Sequence, residues 1–150
     1  MQVKEVKPIT FLFFRTVTQL KDLVNYLPVG QELFREAVQN KLAITGPIHW
    51  HYFGFTGDET KPFTLEVALP VATAPQEYDG TFHFKRTEPF KCVSTVHEGS
   101  WTSMPEAYEK MVAFIFANKL EPLAMNREIY TNVDFTDQAS NVTEIQMGIV

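Results

Sequence analysis

The chain states one pattern twice, with the second copy 78 residues after the first. Asn40-Lys41-Leu42 returns as Asn118-Lys119-Leu120, Tyr52 as Tyr130 and Glu66 as Glu144. Val67, Leu69 and Val71 return as Ile145, Met147 and Ile149. A spacing held from the end of one helical pattern through the following hairpin points to a duplicated structural unit. Function is then expected where the two copies face each other and differ.

Each copy reads as strand, helix, strand, strand. In the first, residues 9–18 are rich in β-branched and aromatic side chains and predict a strand. Leu20, Leu23, Val24 and Leu27 keep one helical face, Pro28 and Gly30 interrupt it, and Leu33, Phe34, Ala37 and Val38 resume it as far as Leu42. Residues 48–55 and 63–71 form a predicted hairpin around a polar turn. After a connector over 72–80, extended segments at 82–86 and 90–96 lead to the turn Glu98-Gly99-Ser100. Ser103-Met104-Pro105-Glu106 has the form of a capping box, with Ser103 and Glu106 each bonding the other's backbone amide. Met104, Ala107, Tyr108, Met111, Val112, Ile115 and Phe116 recur at three- and four-residue steps and predict a buried helix face. Segments 125–135 and 142–150 repeat the closing hairpin. The expectation is one domain over 1–150, with half-repeats of about 1–75 and 80–150.

A chain of 150 residues buries roughly 70% of the surface it exposes when unfolded, so it needs no staples. Thirteen Phe, five Tyr and two Trp are many for this length, and they must line a core or a pocket. Net charge is −5, and the Lys and Arg residues form no basic stripe, which argues against direct nucleic-acid binding. A single cysteine, Cys92, excludes an intramolecular disulfide and a multi-cysteine metal site; it reads as a small buried hydrophobe in a reducing, cytoplasmic setting. Lys4 and Lys7 precede the short apolar stretch 9–14, but no small-residue cleavage site follows, so the start reads as a first strand and not as a signal peptide. No stretch approaches the roughly 20 apolar residues that a membrane helix needs.

His97-Glu98-Gly99-Ser100-Trp101, the helix bearing Tyr108, Arg127-Glu128-Ile129-Tyr130-Thr131-Asn132 and Val142-Thr143-Glu144-Ile145-Gln146-Met147 together resemble the second half of the GyrI-like family, the bacterial transcription activator effector-binding domains. Gly46-Pro47, Trp50-His51-Tyr52 and Leu69-Pro70-Val71 resemble the first half more loosely. The resemblance implies an α+β fold in which two pseudo-symmetric strand-helix-strand-strand repeats form a curved antiparallel sheet with helices packed on it and a pocket between the halves. Members serve as sensing parts of AraC-type and MerR-type regulators, as stand-alone proteins including a gyrase inhibitor, and as hydrolases of cyclopropane-containing toxins. With no helix-turn-helix segment in the sequence, a stand-alone form is expected. Where family members continue the Glu-x-Tyr strand into Asn-Asp-Pro, this chain has Asn132-Val133-Asp134-Phe135.

Alternation along a strand puts Glu128 and Tyr130 on one face. Shifted back by 78 residues, they become Trp50 and Tyr52. A carboxylate opposite an indole, each beside a tyrosine, suits a flat cationic molecule: rings stack on it, their π faces attract its charge, and the acid neutralises it. In the family, the Glu at this motif position is the ligand-contacting acid, which carries over to Glu128. The expected ligand site is Glu128, Tyr130, Trp50, Tyr52, Trp101, Tyr108 and His97. Glu128 is also readable as a solvated strand residue or a structural hydrogen-bond acceptor, Trp50 and Tyr52 as sheet packing and Tyr108 as core, while Trp101 covers either the pocket or the core.

The His49/His51 pair lies on one strand face, but no third metal ligand is evident, so neither a metal nor a cofactor is expected. Two functions compete. One is a small-molecule sensor or sequestering protein that binds amphipathic, aromatic, cationic ligands without turning them over. The other is a hydrolase of electrophilic substrates in which Glu128 positions or deprotonates water and Tyr130 or another pocket hydroxyl polarises the substrate. A third, modulation of a protein partner such as DNA gyrase, follows from one branch of the family.

Overall fold

A computed structural model describes residues 1–150. The strands are β1 (Gln2–Val6), β2 (Thr10–Thr18), β3 (His49–Phe53), β4 (Phe63–Val71), β5 (His83–Arg86), β6 (Phe90–Glu98), β7 (Pro122–Asn132) and β8 (Val142–Ile149). The helices are α1 (Val29–Gln39) and α2 (Met104–Ala117). All eight strands join one antiparallel sheet in the order β1-β6-β8-β7-β3-β4-β2-β5. This is the α+β, curved-sheet architecture expected from the sequence.

The repeat is visible down to the backbone. Both helices end in an Asn whose amide and side-chain Nδ2 donate to the same carbonyl: Glu36 O for Asn40, at 3.0 and 2.8 Å, and Phe114 O for Asn118, at the same distances. The next residue turns left-handed, Lys41 with φ of 57° and Lys119 with φ of 55°. Leu42 N and Leu120 N then bond back to Ala37 O and Ile115 O, both at 2.9 Å. The repeated Asn-Lys-Leu triplet is thus a helix stop of the Schellman kind, which satisfies carbonyls the helix leaves free.

The short strands are exchanged between the halves. β1 pairs with β6, and β5 pairs with β2. Val6 lies opposite Phe90, and Phe84 lies opposite Leu12, which is the same register shifted by one repeat. The sequence predicts a single strand near the start, whereas β1 and β2 are separate strands on opposite sides of the sheet. β1 is short, has two charged residues among its five and lies at an edge, so its own residues carry little of the apolar alternation that marks a strand.

The helices cover one face. Leu33 and Ala37 of α1 pack with Leu12, Trp50, Tyr52, Leu65, Val67 and Leu69; Met111 and Ile115 of α2 pack with Val93, Ile145 and Ile149. The outer residues of each apolar stripe, Phe34 and Val38 on α1 and Val112 and Phe116 on α2, are exposed, so the buried faces are narrower than the periodicity predicts. The capping box does not form. Residues Trp101–Ser103 make a 3-10 turn that feeds α2, and Ser103 has φ of −96° and ψ of 0°, outside the extended geometry that an N-cap needs. Ser100 caps instead, accepting from Thr102 N at 3.3 Å.

The opposite face carries no helix, yet Phe11, His49, His51, Glu66, Cys92, Arg127 and Gln146 are buried there. The curl of the sheet brings their side chains together. Glu66 is held by Arg15 at 2.6 Å and by Lys85, and Glu144 by Lys4 at 2.7 Å. Gly148 makes room for this packing, since a Cβ there would stand 2.7 Å from Met125 O and 2.9 Å from the Phe90 ring.

Candidate functional site

β3 and β7 are the central pair, and their register sets the site. Trp50 is the direct cross-strand partner of Glu128. Because these positions are also equivalents in the repeat, the local pseudo-twofold axis runs between them. Tyr52 and Tyr130, a second equivalent pair, flank the axis from either side. Side chains of Trp50, Tyr52, Glu128 and Tyr130 all project to the helix-covered face by strand alternation.

The tyrosines converge on the acid. Tyr52 Oη donates to Glu128 Oε1 at 2.9 Å, and Tyr130 Oη donates to the same oxygen at 2.5 Å. Tyr108, reaching down from α2, donates to Oε2. Its repeat equivalent on α1 is Gly30, so only one side of the axis supplies a phenol from above. Glu128 is 7% exposed, and none of the three ion pairs in the protein involves it. Burial pushes its pKa up, and the Tyr108, Tyr130 and Tyr52 donors pull it part of the way back. Burial, reinforced by the Glu128 charge, holds all three phenols protonated, with pKa values well above the usual tyrosine value.

Aromatic rings close over this cluster. Trp50 meets Tyr130 edge to face at 6.1 Å, Tyr130 meets Trp101 at 5.6 Å, and Trp101 meets Phe135 at 5.7 Å. The Trp101 indole Nε1 is buried without a hydrogen-bond partner. Phe135 is a member that sequence reasoning missed; its one signal was the departure from Asn-Asp-Pro after the Glu-x-Tyr strand. Six of the seven residues expected at the site therefore come together. His97 does not join them by any hydrogen bond. Its Nε2 donates to Ser100 O at 2.9 Å and lies 3.1 Å from Ser103 Oγ. It lines a separate cleft of about 250 Å³ beside the start of α2, with Met1, Glu98, Ser103, Glu106 and Lys110.

His49 and His51 lie on the helix-free face, with His49 Nδ1 3.2 Å from His51 Nε2. Burial, followed by the nearby Arg127 charge, lowers both pKa values, that of His49 to about 3. No cluster of three or more metal-ligating side chains includes them.

No protein-family model and no curated protein sequence matches the chain. Solved structures do. The EcmrR C-terminal domain superposes with a TM-score of 0.80 at 20% identity, covering 99% of this chain and 96% of that one. SAV2435, solved bound to tetraphenylphosphonium, gives 0.67 at 13% identity, covering 99% and 93%. A hydrolase from Listeria innocua gives 0.64 at 11% identity, covering 99% and 91%. At these identities the likeness shows a shared fold, the one that the resemblance to GyrI-like domains implies. No helix is long and apolar enough to cross a membrane.

Proposed function

We propose that this protein binds flat or propeller-shaped aromatic cations at Glu128 and that it binds them without chemical conversion. One observation carries the reading: a carboxylate buried at the pseudo-twofold axis, surrounded by rings and phenol donors, with no basic side chain paired to it. Burying such a group costs several kcal/mol unless a countercharge arrives. A cation entering here gains that charge and the π faces of Trp50, Tyr130 and Trp101, each worth about 0.5–2 kcal/mol. The phenols hold the carboxylate oxygens in place but leave the charge uncancelled. Entry requires the Trp101 and Phe135 rings to swing aside. Trp101 opens a three-residue 3-10 turn, and Phe135 lies in the loop after β7 and is largely exposed. The tetraphenylphosphonium bound by SAV2435, a protein of the same fold, is a cation of this class.

The test is quenching of Trp50 and Trp101 fluorescence by tetraphenylphosphonium in the wild type and in Glu128→Gln. Saturable quenching that weakens about tenfold or more in the variant supports the reading. Quenching of equal midpoint in both removes the acid from it.

Hydrolysis is the second reading, favoured by the buried Glu128 carboxyl with its pKa raised and phenol hydroxyls beside it, a set that can position and deprotonate water. Turnover of strained-ring or ester substrates that disappears in Glu128→Gln would displace the binding-only account.

A further inference from the structure

The helix-free face holds a second buried charge in an unusual setting. Arg127, 2% exposed, stands in one row between His51 of β3 and Gln146 of β8, its direct cross-strand partners. Each of the three leaves a buried polar atom without a partner: Nε and Nη1 of Arg127, Nδ1 of His51 and Oε1 of Gln146. Folded proteins bond nearly all such atoms, and each one left unmade costs about 1–3 kcal/mol, more for a charged group. Three neighbours with unmade hydrogen bonds, donors on Arg127 and an acceptor on Gln146, define a place, and the charge at its centre is positive.

The acids on this face are already occupied. Glu66, one strand beyond His51, is bound by Arg15 and Lys85. Glu144 accepts from Lys4, from Ser94 Oγ at 2.8 Å and from Gln146 Nε2 at 2.7 Å. The Phe90 ring lies 4.0 Å from the Arg127 guanidinium carbon, stacking on its face and leaving its donor edge free. A bare guanidinium edge matches the paired oxygens of a carboxylate or phosphate.

We propose that Arg127, His51 and Gln146 bind a compact oxyanion on the helix-free face, independently of the Glu128 site. Arg127 supplies the charge and the donors. When His49 donates to His51 Nε2, the neutral His51 ring carries its proton on Nδ1 and offers a further donor. Gln146 Oε1 needs a donor in return, which the hydroxyl of hydrogen phosphate provides and a carboxylate lacks. With Arg127 only 2% exposed, its partner has to be a compact anion or the end of a single group, and not a macromolecular surface.

The experiment is a titration of the full chain with inorganic phosphate or with acetate at constant ionic strength, read at the Arg127 Nε–H resonance. There are four arginines, and the signal is assigned by its loss in Arg127→Lys. A saturable shift with phosphate at lower concentration than with acetate is expected, and Gln146→Leu should remove the difference. The reverse order would assign the site to carboxylates. The rise in Tm that phosphate causes should fall at least tenfold in concentration sensitivity in Arg127→Lys. If the wild-type resonance moves with neither anion, or if phosphate raises the Tm of Arg127→Met as much as that of wild type, the inference is wrong. Assigning the resonance by through-bond connectivity to the Arg127 backbone in the wild type keeps the test decisive even if a variant fails to fold.

Discussion

Trp50 and Glu128 are cross-strand partners at the middle of the sheet and, at the same time, each other's equivalents in the internal repeat. In a symmetric assembly of two identical halves, the residues meeting at the axis would be the same. Here an indole meets a carboxylate. Tyr52 and Tyr130 keep the symmetry and both serve Oε1, while Tyr108 and Gly30 break it again. The repeat supplies a near-symmetric frame, and the differences at its axis set a carboxylate opposite an indole.

The raised Glu128 pKa makes stability depend on pH in a definite direction. The unfolded acid ionises near 4.5 and the folded one at higher pH, so between those values the unfolded chain has fewer bound protons. The contribution of this group is present below the unfolded value and is lost as pH rises through the folded one. Tm of the wild type, measured against Glu128→Gln from about pH 4 upward, should fall relative to the variant as pH increases. A difference that stays constant, or that grows in the wild type's favour, contradicts the burial of an unpaired acid.

Replacing Tyr52, Tyr108 or Tyr130 by Phe keeps each ring and removes one donor from the carboxylate. Each change should raise the Glu128 pKa further, because all three donors hold it down. The carboxyl carbon resonance of Glu128, followed through pH, reports this directly. Cation affinity, measured at a pH within the titration so observed, should drop in parallel as less of the acid is ionised.

The two helix stops are improvable. Lys41 and Lys119 adopt left-handed backbone that costs a non-glycine residue free energy. Lys41→Gly and Lys119→Gly should each add about 0.5–1 kcal/mol in urea unfolding, and the pair should be nearly additive because the stops lie in different halves. Loss of stability in either variant would mean that the lysine side chain makes a contact more important than the backbone.

Gly148→Ala tests the packing of the helix-free face. The added methyl would meet the Met125 carbonyl and push the Phe90 ring, which stacks on Arg127. A loss of about 1–3 kcal/mol is expected from overpacking, together with a shift of the Arg127 Nε–H resonance. Full stability with an unmoved resonance would show that the strands relax freely there.

Much of this was legible in the sequence, and the exceptions have physical causes. Period-two alternation put Glu128 beside Tyr130, and the repeat interval named Trp50 and Tyr52 as their counterparts before any register was known. The Asn-Lys-Leu triplet marked both helix ends because capping is local. Strand exchange was not legible, since nothing within residues 2–6 says that their partner is β6 and not β2. Tyr108 was ambiguous because core and site share its helix face. Arg127 escaped notice because alternation sends it to the sheet face away from Glu128, where side chains are ordinarily solvated; the curl that buries it is a property of the whole sheet. Phe135 sits in a loop with no periodicity to place it.

The most direct test of the central claim is calorimetric titration with a matched pair of probes, N-methylquinolinium and neutral quinoline, at a pH where quinoline is uncharged. The wild type should bind the cation more tightly than its neutral counterpart, and Glu128→Gln should abolish that preference while leaving quinoline affinity within about twofold. A wild type that binds both equally, or a variant that keeps the preference for the cation, would contradict the assignment of the axial carboxylate as a cation receptor.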